Sequence, residues 1–149
     1  AMVVGVYSPS LTEVIAGTMA NLGVKRGFVV SGKDNMDEFT LTGPSTVSEI
    51  KDGKVKTYEI TPEQFGLTRC KIEELQGGNG TVNAQITKDI LSGKERGAKR
   101  EIVLLNAGAT LYIGGKADSI EEGIRIAGET IDSGKAMETL EAMVKATNE

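Results

Sequence analysis

Apolar and polar positions along this chain switch between two periods, and the switches mark its elements. Val3-Val4-Gly5-Val6-Tyr7 is an unbroken apolar run, the pattern of a strand covered on both faces. Ser8-Pro9 follows with a cap residue and a proline in the order that opens a helix. Leu11, Val14, Ile15, Met19 and Leu22 then recur at helical spacing until Gly23 ends the pattern. Gly27 to Val30 is the next apolar run. This strand–helix–strand order predicts a βαβ unit of a parallel sheet with a right-handed crossover. From Thr46 to Lys51 and Lys54 to Ile60 the period drops to two around Asp52-Gly53, the signal of a tight β-hairpin.

The second half is mainly helical in pattern. Thr61-Pro62-Glu63-Gln64 has the threonine cap, proline and capping-box glutamine of a short helix. Leu75 to Gly80 is a loop, and Val82, Ala84, Ile86, Ile90 and Leu91 trace a helix that runs to Gly93. Ile102 to Ile113 is almost continuously apolar, and periodicity alone does not choose between strand and buried helix. Ser119-Ile120-Glu121-Glu122 is a capping box opening a helix through Ile131. Ala136, Leu140, Met143 and Val144 form one face of a last helix after Gly134. With no internal repeat and no second linker, residues 1–149 read as a single α/β unit: a partial parallel sheet with packed helices plus a β-hairpin.

Composition narrows the function more than the fold. The 149 residues can bury a substantial core, and 39% hydrophobic with 26% charged content is ordinary for a soluble globular protein. Nineteen glycines cluster at element ends, among them Gly23, Gly32, Gly53, Gly66, Gly93 and Gly134, which marks turns and helix stops. A net charge of −4 opposes a protein built to bind polyanions, so no nucleic-acid partner is expected. A phosphorylated small molecule stays open, because a cation and backbone N–H groups can supply positive potential. The absence of histidine and the single Cys70 exclude Ser–His and Cys–His nucleophilic sites, zinc fingers and an internal disulfide. A lone cysteine fits a reducing, cytoplasmic setting. No apolar run approaches the roughly 18 residues of a membrane span.

Candidate chemistry concentrates after Val30. Ser31-Gly32-Lys33-Asp34-Asn35 is a loop at the carboxyl end of a strand, and Met36-Asp37-Glu38-Phe39-Thr40-Leu41-Thr42-Gly43-Pro44 follows it. Ligands of open α/β sheets bind at that end. Asp37 and Glu38 there can hold Mg²⁺, which takes one or two protein carboxylates and completes its shell with water and phosphate; they can equally be a solvated loop. Gly77-Gly78-Asn79-Gly80 reads as a flexible connector, since it lacks the strand context and Lys-Ser/Thr of a P-loop. Ser8-Pro9-Ser10 is explained by capping. Lys94, Arg96, Lys99 and Arg100 read as a solvated basic face without stacking aromatics. Tyr112 is expected in the core, and Asn106, a buried amide in the same run, is expected to hydrogen-bond a neighbouring loop.

The string DEFTLTGP does not stand alone. Gly5 to Gly32, Ile60 to Leu67, Ile90 to Lys94, VLLNAGATLYIGGKADSIEEGI from Val103 to Ile124, and IDSGKAMETLEAMV from Ile131 to Val144 occur together and in order. This succession resembles the anthranilate phosphoribosyltransferase family, and corresponds to the C-terminal half of its chain. The resemblance implies a nucleoside phosphorylase/phosphoribosyltransferase-like C-terminal domain and makes Ile102 to Ile113 a helix. It implies transfer of phosphoribose from phosphoribosyl pyrophosphate to anthranilate in tryptophan biosynthesis, with Asp37 and Glu38 as the Mg²⁺ ligands.

The family's Gly-Thr-Gly-Gly-Asp loop, its Lys-His-Gly-Asn-Arg segment and its anthranilate-facing arginine have no counterpart here. The chain is therefore expected to need an N-terminal half as partner and to be inactive alone, and an open sheet edge would favour a homo-oligomer. The alternatives are a non-catalytic relative that binds nucleic acid and a folding or interaction fragment without a ligand.

Overall fold

A computed structural model of the chain describes residues 1–148. Four strands form one sheet in the order β1 (Met2–Gly5), β2 (Arg26–Gly32), β3 (Ser45–Lys51), β4 (Lys54–Ile60). β1 and β2 are parallel, joined by helix α1 (Thr12–Asn21) as the βαβ pattern predicts. The hairpin adds to the other edge of β2, so β2, β3 and β4 run antiparallel and the sheet is mixed. Asp52 and Gly53 both take positive φ (51° and 75°), the turn conformation that Asp-Gly favours because its twist matches that of the strands.

Side-chain alternation divides the core in two. Phe28 and Val30 of β2 and Val47 of β3 face Leu105, Ala109 and Ile113 of helix α4 (Ala98–Ile113). Val29 of β2 and Ile50 of β3 point the other way, onto Ala16 and Met19 of α1. β2 is thus buried on both faces, which is why its pattern is a run and not an alternation. Helices α2 (Ile72–Leu75), α3 (Gly80–Leu91), α5 (Ile120–Asp132) and α6 (Lys135–Thr147) complete the chain. α5 lies against α4 where Gly108 meets Gly123: a Cβ on Gly108 would stand 2.6 Å from the Ile124 backbone nitrogen. Among the described residues no helix is long and apolar enough to cross a membrane.

Several local expectations are modified. The first strand stops at Gly5, and Tyr7 is exposed. Ser8 does not cap a helix; its hydroxyl meets that of Ser10 at 3.0 Å, and Pro9–Leu11 is a 3-10 turn before α1 begins. Val14 and Leu22, placed on the helical stripe, are both exposed, Val14 on the outer side of α1 and Leu22 just past its end. Ser119 caps α5 by accepting from the Glu122 N–H at 3.1 Å, while the Glu122 carboxylate reaches the Asp118 N–H at 2.7 Å, one residue before the cap.

Candidate functional site

The loop between β2 and β3 is closed at its neck by two backbone bonds: Gly32 N–H donates to the Met36 carbonyl at 2.8 Å, and Lys33 N–H to the Pro44 carbonyl at 3.0 Å. Its interior is organised by Asp34. One carboxylate oxygen accepts from the hydroxyls of Thr40 and Thr42, both at 2.7 Å, and the other accepts from the Met36 N–H at 3.2 Å. Burial alone would push the Asp34 carboxyl up. The hydroxyl and backbone donors around it outweigh burial and hold it below its ordinary value of 3.8. Phe39 and Leu41 are fully buried, with Phe39 edge-on to Phe28 at 5.7 Å between ring centroids. The loop is therefore anchored by its own hydrophobic residues.

Between the Asp34 network and the Phe39 anchor stand Asp37 and Glu38, both exposed. Among the described residues neither carboxylate is engaged in a hydrogen bond or ion pair. Their backbone, by contrast, is held from two sides. A Cβ on Gly5, at the end of β1, would collide with the Asp37 carbonyl and lie 2.8 Å from the Asp37 Cβ, so only glycine lets the loop seat there. From the other side Asn106 of α4 accepts from the Phe39 N–H at 3.1 Å and donates to the Phe39 carbonyl at 3.0 Å. The loop bond expected of Asn106 thus lands beside Glu38. Glu38, Asn106, Ile102, Val103, Ala107 and Thr110 line an open groove of about 330 Å³.

Among the described residues no three His, Cys, Asp or Glu side chains gather as a metal cage. Two adjacent, unpaired carboxylates are nevertheless the donor set suited to Mg²⁺ that draws its remaining ligands from water and phosphate. Asp34 adds nothing to that set, because its oxygens are turned inward to the threonines. Gly5 and the role of Asp34 escaped the sequence reading. The only signal at Gly5 was a glycine inside an otherwise apolar strand pattern, which can mark a close backbone approach.

Other candidates resolve into scaffold. The basic cluster is solvated only in part: Lys94 and Arg96 are exposed, while Lys99 and Arg100 are drawn into the scaffold. Lys99 donates to the Glu74 and Gln76 carbonyls at 2.7 and 2.8 Å, and Arg96 and Arg100 share Asp132, with Arg100 only 7% exposed. The Gly77-Gly78 connector is tied down, since Gly78 exchanges two hydrogen bonds with the Asn83 amide and Asn79 caps α3. Tyr112 is half-buried: it stacks on Phe28, and its hydroxyl leaves the core to donate to Glu49 at 2.8 Å. That pair lies near the amino end of β2, away from Asp37.

A mixed sheet carrying an acidic loop at the carboxyl end of its central parallel strand, with helices on both faces, is an α/β domain. Residues 1–137 match the glycosyl transferase family, a/b domain, and the chain belongs to that family. Within it the similarity is to anthranilate phosphoribosyltransferases. The enzyme of that name from Citrifermentans bemidjiense is 58% identical over 147 residues, covering 99% of this chain and 42% of the relative. The crystal structure of the Thermus thermophilus anthranilate phosphoribosyltransferase superposes with a TM-score of 0.87 at 40% identity, over 95% of this chain and 41% of that one. The Saccharomyces cerevisiae enzyme in complex with PRPP and Mg superposes with a TM-score of 0.84 at 29% identity, over 93% and 40%. The chain thus spans well under half the length of the relatives it matches.

Proposed function

We propose that this chain is the carboxyl-terminal α/β unit of an anthranilate phosphoribosyltransferase and supplies the acidic arm of its active site. Asp37 and Glu38 bind Mg²⁺ together with the pyrophosphate of phosphoribosyl pyrophosphate. When bound, the cation supplies Lewis-acid stabilisation of the departing pyrophosphate. The observation that carries this reading is the pair of exposed, unpaired carboxylates on a loop whose backbone is fixed by Gly5, Asp34 and Asn106. Fixing the loop lets the two side chains meet the cation without first ordering the chain, which is how positioning lowers a barrier.

The reaction joins the anthranilate amine to the ribose carbon as the bond to pyrophosphate breaks, and it asks for little proton transfer from this part of the protein. Phosphate cradling and anthranilate recognition fall to residues upstream of those present here. A cytoplasmic setting is part of the same reading, consistent with the single free thiol at Cys70.

The test is turnover followed by loss of anthranilate fluorescence. The purified chain is expected to be inactive alone and to gain activity when the upstream half of a relative is added in trans. In that complex Asp37→Ala and Glu38→Ala should cut turnover strongly while moving unfolding stability by no more than about 0.5 kcal/mol. Turnover by the chain alone, or turnover untouched by both substitutions, overturns the proposal.

A further inference from the structure

We infer that Asn106 is the positioning residue of the Asp37–Glu38 site, acting through the Phe39 peptide and touching neither carboxylate's ligand itself. The inference rests on the reading of those two carboxylates as metal ligands. Its basis is the way the amide is used. The Asn106 Oδ1 accepts the Phe39 N–H at 3.1 Å, and its Nδ2 donates both to the Phe39 carbonyl at 3.0 Å and to the Ile102 carbonyl, also at 3.0 Å. The amide nitrogen is thereby tied to a turn of α4, and the amide as a whole grips the two peptide groups that flank Phe39, the first of which follows Glu38.

Only a group with an acceptor and a donor at that spacing can hold both polar atoms of one residue. The grip acts on a residue whose ring is enclosed at 0% exposure beside Phe28. What the grip adds is a fixed orientation of the chain as it leaves the core towards Glu38. On the other flank the Asp37 carbonyl is seated over Gly5. The two acidic residues are consequently held between a strand end and a helix, with the side chains left free to bind. Partners that orient metal ligands in this way typically change metal affinity by about 10–100-fold when removed.

The test uses the isolated chain and Mn²⁺ as a paramagnetic probe. In the wild-type chain, Mn²⁺ should broaden the amide signals of Asp37 and Glu38 ahead of the others. Asn106→Leu keeps the side-chain volume and removes the grip. It is expected to weaken that selective broadening by about tenfold in Mn²⁺ concentration, with the signals of Ala16, Val29 and Ile50, in the core on the opposite face of the sheet, unmoved. Hydrogen exchange at the Phe39 N–H should accelerate in the same variant.

Unchanged Mn²⁺ affinity in a folded Asn106→Leu overturns the inference while leaving the metal reading intact. If the wild-type chain shows no selective broadening at Asp37 and Glu38, the metal reading itself fails and the inference falls with it. Should Asn106→Leu not fold, Asn106→Gln retains an amide and shifts it off the Phe39 peptide by one methylene. Wild-type Mn²⁺ affinity in that variant likewise overturns the inference.

Discussion

At the scale of single residues, the acidic loop separates two kinds of carboxylate by hydrogen bonding alone. Asp34 is consumed by Thr40, Thr42 and Met36, while Asp37 and Glu38, three and four positions on, keep their oxygens free. The consequence for acid stability has a definite sign. Because Asp34 is held below 3.8 in the folded chain, its contribution is present above the ordinary carboxyl range and is lost as pH falls from 3.8 through the folded value. Urea midpoints measured across that range should fall more steeply for the wild-type chain than for Asp34→Asn. Parallel curves would show that the Asp34 network does not contribute. Gly5 makes a second residue-scale demand. Gly5→Ala drives a methyl into the Asp37 backbone, a contact with no flexible side chain to yield, so a loss of about 1–3 kcal/mol is expected in urea unfolding.

Among elements, the α4–α5 pair depends on two glycines lying against each other. A Cβ on Gly123 would stand 2.9 Å from the Gly108 Cα, backbone against backbone, and α4 is also the helix that carries Asn106. Gly123→Ala should therefore cost about 1–3 kcal/mol in urea unfolding through overpacking; a variant as stable as wild type would mean that the helices can separate freely. These contacts also mark the limit of what the sequence discloses. Features defined within a few residues were legible: the βαβ order, the Asp52-Gly53 turn, the Thr61–Gln64 capping box, and the placing of Asp37 and Glu38 at the end of β2. The helix at Ile102 to Ile113 was ambiguous by period and was settled by resemblance, since an element buried on several sides loses its stripe. Gly5 under Asp37, Gly108 on Gly123 and Arg100 on Asp132 were not legible, because each is a meeting of segments distant in the chain. Asn106 was half-read: its buried amide demanded a partner, but nothing local named Phe39.

For the whole molecule, the two edges of the sheet differ. β4 carries Lys54, Lys56 and Glu59 and so presents charge to any approaching strand. β1, with the sequence Met-Val-Val-Gly, has neither charge nor proline, and Met2 is 51% exposed. Association through β1 is the expected outcome, visible as a concentration-dependent rise in sedimentation coefficient that Met2→Lys reduces; a monomer at every concentration would show that the edge is otherwise protected. A different whole-molecule property follows from Glu49. Its two oxygens accept the hydroxyls of Tyr112 at 2.8 Å and Tyr58 at 3.0 Å, joining helix α4 to both hairpin strands. Burial, then the Glu49 charge, pushes the Tyr58 phenol well above 10, and burial with the Glu49 bond raises Tyr112 too, so stability declines as pH climbs past 10. With no tryptophan and three tyrosines in the chain, two of the three native chromophores are tied to one carboxylate. The protein therefore carries its own optical gauge of alkaline unfolding: the phenolate absorbance of Tyr58 and Tyr112 should appear late and together with loss of structure, reporting the moment at which α4 parts from the hairpin.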